Sequence, residues 1–106
     1  MLKNIAGYAI ASLLIFAGSK ASPAQTGADT YKAKCQMCHG ATGLGDTPAG
    51  KAMKARPFNS LDVVKESDGD LIAVIKNGKN KMPAFAGKLT DSQINDVLAF
   101  IHTLPK

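Results

Sequence analysis

Two cysteines and a histidine fall within one helical turn of this chain. They are Cys35, Cys38 and His39 in the stretch CQMCHG, and the sequence contains no other cysteine. Two thiols and an imidazole at this spacing could form a disulfide, bind a metal ion, act as a redox dithiol or anchor a larger prosthetic group. The rest of the chain decides among these four chemistries.

Three of the four fit the sequence poorly. A redox dithiol of the C-x-x-C kind follows a strand in a βαβ unit, and the sequence has no convincing strand. A structural zinc site needs four ligands, and beyond these three residues only His102 remains, in a distant predicted helix. A disulfide between Cys35 and Cys38 would close a very short loop and add little stability. None of the three needs a histidine directly after the second cysteine.

The fourth chemistry uses all three residues, because C-x-x-C-H is the pattern of c-type haem attachment. On a helix, side chains at i and i+3 share a face, so Cys35 and Cys38 can both bond to one porphyrin edge. The imidazole of His39 then lies over the ring and can ligate the iron. The sequence therefore predicts one haem c, covalently bound through the two cysteines.

The iron of such a haem has a second axial position. Met82 stands in the irregular stretch NKMPAF, where the backbone can approach the ring and Pro83 stiffens the approach. We predict Met82 as the second metal ligand beside His39, with Met53 as the reserve ligand. His102 falls outside the apolar stripe of its helix and is predicted to face solvent.

The elements that must hold these residues are helices and loops. The first predicted helix runs from the Thr26 cap to Gly40, a short one is predicted near residues 61–65, and a third runs from the Ser67 cap to Asn77. The last predicted helix begins at a capping box of Thr90 and Gln93 and ends at Pro105. Leu89 and Ile94 form the hydrophobic staple across its start. Residues 41–60 are rich in glycine and proline and are predicted to form a loop. The predicted fold class is all-α, with three to four helices and long loops wrapped around one haem.

The first two dozen residues are predicted to be a secretory signal peptide, residues 1–24. Lys3 gives a positive start, residues 8–17 are apolar, and small residues fit cleavage near Ala21 or Ala24. The apolar run is too short for a membrane-spanning helix, so we expect no stable membrane anchor after cleavage and a location in the periplasm or otherwise outside the cytoplasm.

Residues 25–106 are predicted to form a single haem-binding domain. Its formal net charge is +3 (11 basic minus 8 acidic residues), an excess too small to indicate nucleic-acid binding. A domain of about 80 residues rarely gains enough stability from its own hydrophobic core. The chain also lacks tryptophan. A bound haem would supply the apolar bulk that this core is missing.

With these features the chain resembles the class I cytochrome c family, in its small monohaem bacterial periplasmic form. The likeness lies in the CQMCH motif, in Met82-Pro83 further along, and in the amphipathic last helix. It extends over essentially the whole region after the leader, although residues 49–58 match no subgroup of the family.

The resemblance implies roles for further residues. The first and last helices of the family pack across each other, which here would bring together Gly27, Tyr31, Val97 and Phe100. A proline carbonyl accepts a hydrogen bond from the Nδ1–H of the histidine ligand in similar small members, and Pro48 stands at the matching distance from His39. Such a bond would fix the orientation of the ring and raise its basicity.

The predicted function is transfer of single electrons between redox partners. Two axial ligands leave the iron no open position, and the chain shows no catalytic constellation, so we predict a carrier and not an enzyme. We expect a monomer whose exposed haem edge is surrounded by basic residues and docks on acidic patches of partner proteins. These basic residues are Lys51, Lys54, Arg56, Lys76, Lys79 and Lys81.

Two alternative functions stay open at this point. The chain could be a haem module or subunit of a larger oxidoreductase. If the Met82 ligand is labile, the haem could instead bind a small gas or react with peroxide.

Overall fold

The computed structural model describes residues 23–106. Helical segments in that range are α1 Pro23–Lys34, α2 Gln36–His39, α3 Pro48–Met53, α4 Leu61–Val64, α5 Asp68–Asn77 and α6 Asp91–Ile101. Between residues 23 and 106 there are isolated bridges but no strand, which confirms the all-α prediction. No helix of this range is long and apolar enough to cross a membrane. The predicted signal peptide lies outside the described residues except for its last two positions.

The helix that leads to the cysteine motif begins earlier than predicted. α1 starts at Pro23, three residues before Thr26, because the fixed φ of proline suits the first turn of a helix. Cys35, with φ −117°, separates α1 from α2. The predicted stop at Gly40 is confirmed: its φ of 82° lies in the left-handed region that glycine adopts without strain.

The predicted loop of residues 41–60 contains a helix that sequence analysis missed. α3 begins with Pro48, and the Thr47 side chain caps it by accepting a hydrogen bond from the Gly50 N–H at 2.9 Å. The turn chemistry before and after α3 is nevertheless as predicted. Gly43 and Gly45 both have positive φ, so the glycine-rich stretch forms turns.

The later helices have the predicted caps. The Ser67 hydroxyl accepts from the Asp70 N–H at the start of α5. Thr90 and Gln93 form the complete capping box of α6, with bonds of 3.1 and 2.9 Å. α6 ends at Ile101 and not at Pro105, and the hydroxyl of Thr103 donates to a backbone carbonyl of its last turn at 2.6 Å.

α1 and α6 cross in close contact, as the family resemblance implied. A Cβ atom at Gly27 would overlap the backbone carbonyl of Asp96, so only glycine permits this approach. The Tyr31 ring is almost fully buried and lies 5.2 Å from the Phe100 ring, between centroids. Val97 is buried at the same crossing. The crossing places the end of α1, and hence the cysteines, against the rest of the domain.

A second cluster of buried side chains anchors the segment that carries Met82. Its members are Ile75, Phe85, Leu89 and Ile94, so the predicted staple of α6 is part of the core. The backbone N–H of Phe85 donates to the carbonyl of Ile75 at 3.0 Å. Met82 is partly buried and packs against this cluster.

Candidate functional site

A cavity of about 420 Å³ receives the four residues that the sequence singled out as haem and iron ligands: Cys35, Cys38, His39 and Met82. The rest of its wall is mostly apolar and comes mainly from α4, α5, α6 and the connecting loops, with single residues from the ends of α1 and α3. Its main apolar lining residues are Phe58, Val63, Leu71, Val74, Ile75, Phe85, Val97, Leu98 and Ile101. A pocket of this size and character is typical of a site for a large apolar cofactor.

Backbone hydrogen bonds carry the helical spacing through the cysteine motif. The Cys35 N–H donates to the Tyr31 carbonyl at 2.8 Å, and the His39 N–H donates to the Cys35 carbonyl at 2.9 Å. Both cysteines are free thiols and half-buried. Burial, and secondarily the neighbouring Cys38, raises the pKa of the Cys35 thiol to about 11. This thiol is therefore protonated at neutral pH in the polypeptide.

The carbonyls at the end of α2 find partners outside the helix. The Thr47 hydroxyl lies 2.6 Å from the Met37 carbonyl oxygen and 3.2 Å from that of Cys38, so it donates to this pair. The Gly45 N–H donates to the His39 carbonyl at 2.8 Å. These bonds hold the end of the motif in place.

Two more contacts brace the same turn. The buried Tyr31 hydroxyl donates to the Gly40 carbonyl at 2.6 Å, and burial raises the pKa of Tyr31 to about 12. α3 packs directly on α2 because Gly50 has no side chain: a Cβ there would overlap the Cys38 carbonyl. The backbone beneath the two thiols and the imidazole is thus fixed by α1 and α3 together.

The His39 ring stacks on Phe58, with ring centroids 4.7 Å apart and an angle of 26° between the planes. Burial lowers the pKa of the His39 imidazole, and the positive charge of Arg56 lowers it further. A lowered pKa favours the neutral imidazole, which is the form that ligates a metal.

The resemblance implies a hydrogen bond between His39 and Pro48. Among residues 23–106, His39 Nδ1 is buried and has no hydrogen-bond partner. Pro48 is exposed and does not line the cavity. Pro48 is the first residue of α3. Its hydrogen bond to His39 stays a prediction.

The segment carrying Met82 is a tight turn. Lys79 and Met82 exchange two backbone hydrogen bonds of 3.2 and 2.9 Å, and Asn80 adopts a left-handed φ of 54° to close the turn. Gly78 precedes it with φ 76°. This turn directs Met82 to the cavity while its backbone stays tied to α5.

The two remaining candidates for a ligand role differ from Met82. Met53 also lines the cavity, but its side chain is 49 % exposed and it stands at the end of the short helix α3. His102 is exposed, as predicted, and its Nε2 lies 2.8 Å from Asp68 Oδ1, away from the cavity.

Sequence analysis missed the roles of three residues at or near the site: Thr47, Phe58 and Glu66. Thr47 had a local signal, since a threonine before a proline is a common start of a helix. Phe58 had none, because its stacking on His39 joins residues far apart in the chain. Glu66 pairs with Arg56 at 3.4 Å, again across an intervening segment.

Charged residues around the cavity are mostly basic. Its lining includes one acidic residue, Asp62, and five basic ones: Lys34, Lys54, Arg56, Lys79 and Lys81. Four of the six basic residues predicted to surround the haem edge are thus at the cavity: Lys54, Arg56, Lys79 and Lys81.

The arrangement fits a covalently attached haem better than the alternatives. Within residues 23–106 no group of three or more His, Cys, Asp and Glu side chains could hold a metal ion, so a zinc site has no ligand set there. A simple redox dithiol site does not require a wide apolar cavity. The cavity does suit a porphyrin, with two free thiols and a neutral imidazole on its wall.

Known proteins match the chain over most of its length. The sequence profile of a family described as Cytochrome C oxidase, cbb3-type, subunit III matches residues 22–101. A cytochrome c6 of Thermosynechococcus vestitus is 34 % identical over 100 residues, which are 92 % of this chain and 86 % of that protein. A cytochrome c6 of Parathermosynechococcus lividus is 38 % identical over 76 residues, covering 71 % and 83 %.

A solved structure has the same fold. The KustC0563 c-type cytochrome superimposes with a TM-score of 0.68 and 29 % identity, covering 76 % of this chain and 98 % of that one. The predicted resemblance is confirmed: the chain belongs to the cytochrome c family, as a small monohaem cytochrome of class I. It carries covalently bound haem c and is an electron carrier.

Proposed function

We propose that this chain carries single electrons in the periplasm through a haem whose iron is ligated by His39 and Met82. Cys35 and Cys38 would attach the porphyrin through thioether bonds. The observation that carries the proposal is the cavity of about 420 Å³, because Met82, from a distant part of the chain, lines it together with the three residues of the cysteine motif.

The haem supplies one-electron exchange between ferrous and ferric iron. The chain's own residues set how that exchange proceeds. His39, kept neutral by burial, offers a nitrogen ligand, and the Met82 thioether favours the reduced state and raises the potential relative to two histidines. Iron held by both His39 and Met82 would have no position open for a substrate, which supports a carrier over an enzyme.

The absorption spectrum of the oxidised holoprotein tests the ligand set. A methionine sulfur bound to ferric iron gives a weak band at the red end of the visible spectrum. We expect this band in the wild-type protein, its loss in Met82→Ala, and its retention in Met53→Ala, which removes the other methionine of the cavity wall. Loss of the band in Met53→Ala alone would assign the ligand to Met53. Absence of the band from the wild-type protein would refute methionine ligation.

Mass spectrometry of the protein purified from its host tests the attachment and the export. We expect one haem mass added to a chain that begins after Ala21 or Ala24, in the periplasmic fraction. A bare polypeptide with two free thiols would contradict the haem assignment, and an intact leader would contradict export.

The basic residues at the cavity support docking on an acidic redox partner. Electrostatic attraction of this kind raises association rates and weakens as salt screens it. We expect electron-transfer rates to fall with ionic strength, and the charge reversal Lys81→Glu to slow transfer at low salt. Lys32→Glu is the matched control, since Lys32 is exposed on α1 and does not line the cavity. Equal effects of the two reversals would argue against a specific docking site.

A second function, as a haem subunit of a larger oxidoreductase, is favoured by one finding. The matching family profile is described as a subunit of a cbb3-type oxidase. Size-exclusion chromatography of a native periplasmic extract separates the two cases: a free carrier elutes at the size of the monomer, and a subunit elutes with its complex.

A further inference from the structure

An ion pair connects the cavity wall to the region behind it. The Arg56 guanidinium lines the cavity, and both of its terminal nitrogens lie 3.4 Å from Oε1 of Glu66. Glu66 does not line the cavity but a smaller pocket of about 60 Å³, together with Val64 and Leu104. The two side chains are 35 % and 21 % exposed, so water screens this pair only partly.

The pair has an unused acceptor. Oε2 of Glu66 is buried and has no hydrogen-bond partner among the described residues. Burying a carboxylate oxygen without a hydrogen-bond partner is unfavourable, so such an oxygen is tolerated where an opposite charge compensates that of the carboxylate. The group available for that interaction is the Arg56 cation.

The charge of Arg56 lies at the same cavity as the proposed iron ligand. Arg56 and His39 both line that cavity. Arg56 also lies two residues before Phe58 in the chain, and the Phe58 ring stacks on His39. Ferric haem carries one more positive charge than ferrous haem, so a cation at this wall favours the ferrous form and a carboxylate opposes that effect.

We propose that Glu66 tunes the midpoint potential of the haem, by offsetting the charge that the Arg56 guanidinium places at the cavity wall. This inference rests on the proposed haem site. It assigns the potential not only to the iron ligands but also to a charge pair formed by the connection between α4 and α5 and the segment after α3.

Equilibrium redox titration of the holoprotein at constant pH tests the proposal. We expect Glu66→Gln to raise the midpoint potential and Arg56→Gln to lower it, each by a threefold or larger change in the ferrous-to-ferric ratio at fixed ambient potential. That change corresponds to about 30 mV, since a tenfold change equals about 59 mV for one electron. The double variant should lie closer to the wild type than either single variant, because the pair is removed as a unit.

Two controls separate charge from structure. Asp91→Asn removes the same charge from another ion pair, Lys76–Asp91 at 2.9 Å, which does not line the cavity, and it should leave the potential unchanged. Glu66→Asp keeps the charge and should remain near the wild type. If Glu66→Gln yields no holoprotein, the proposal is tested by the direction of the potential shift in Arg56→Gln and by the midpoint potential of Glu66→Asp.

The outcomes distinguish this inference from the proposed function. Shifts of the same sign for the Arg56 and Glu66 variants, or a Glu66→Gln shift no larger than that of Asp91→Asn, would overturn it. So would a Glu66→Asp shift as large as the Glu66→Gln shift, because shape and not charge would then be responsible. A wild-type protein without covalent haem would instead overturn the proposed function.

Discussion

Replacing Thr47 with valine should destabilise the holoprotein more than the loss of an ordinary helix cap. The Thr47 hydroxyl accepts from the Gly50 N–H at the start of α3, and it donates to the carbonyls of Met37 and Cys38 at the end of α2. Valine has nearly the same shape, so the substitution removes these bonds without leaving a cavity. Thr47 is thus the residue that joins α3 to the cysteine motif.

The expected size follows from the bonds that are lost. A helix N-cap is worth about 1 kcal/mol. The hydroxyl bond to the α2 carbonyls adds about 1–2 kcal/mol, since those carbonyls lose a partner. The sum is about 2–3 kcal/mol, which lowers the Tm of a domain of this size by roughly 10–20 °C.

Thermal and guanidinium unfolding of the purified holoprotein, followed by circular dichroism and by the haem absorption, measure this loss. Ser67→Ala is the matched control, because Ser67 caps α5 through one similar bond and touches no other helix through it. It should cost about 1 kcal/mol. Thr47→Ser keeps the hydroxyl and should stay within about 0.5 kcal/mol of the wild type. If Thr47→Val costs no more than Ser67→Ala, the bonds to α2 contribute nothing and the argument is wrong.

The remaining predictions concern the core. Replacing both Cys35 and Cys38 with serine should give a chain that is largely disordered by circular dichroism and NMR, because about 80 residues cannot form a sufficient core without the haem; a cooperative thermal transition in this variant would contradict that reasoning. Gly27→Ala should destabilise the holoprotein by about 1–3 kcal/mol, because the added methyl group overlaps the backbone of α6. Guanidinium unfolding measures this loss. A midpoint equal to that of the wild type would mean that α1 and α6 can separate freely.

Features that depend on nearby residues were predictable from the sequence. The caps at Ser67 and Thr90 and the stop at Gly40 each involve hydrogen bonds or a φ angle within a few residues, and the structure confirms them. The cysteine motif is also local, and it led to the family that the comparisons confirm. Iron ligation by His39 and Met82 stays a prediction, supported by their presence at one cavity.

Some local signals were overruled or overlooked. The first helix extends past its predicted cap to Pro23, and the Thr47-Pro48 start of α3 was hidden among glycines and prolines that indicated a loop.

The sequence by itself determined that this is a helical, haem-binding cytochrome c, because the attachment motif and the helix caps act over one or two turns. Only the tertiary structure decided what surrounds the histidine: the stacking of Phe58 and the pairing of Arg56 with Glu66. These contacts join segments separated by loops, and no periodicity or spacing along the chain specifies them. They arise when α3 and α4 fold over the cavity, because packing and not local hydrogen bonding brings those side chains together.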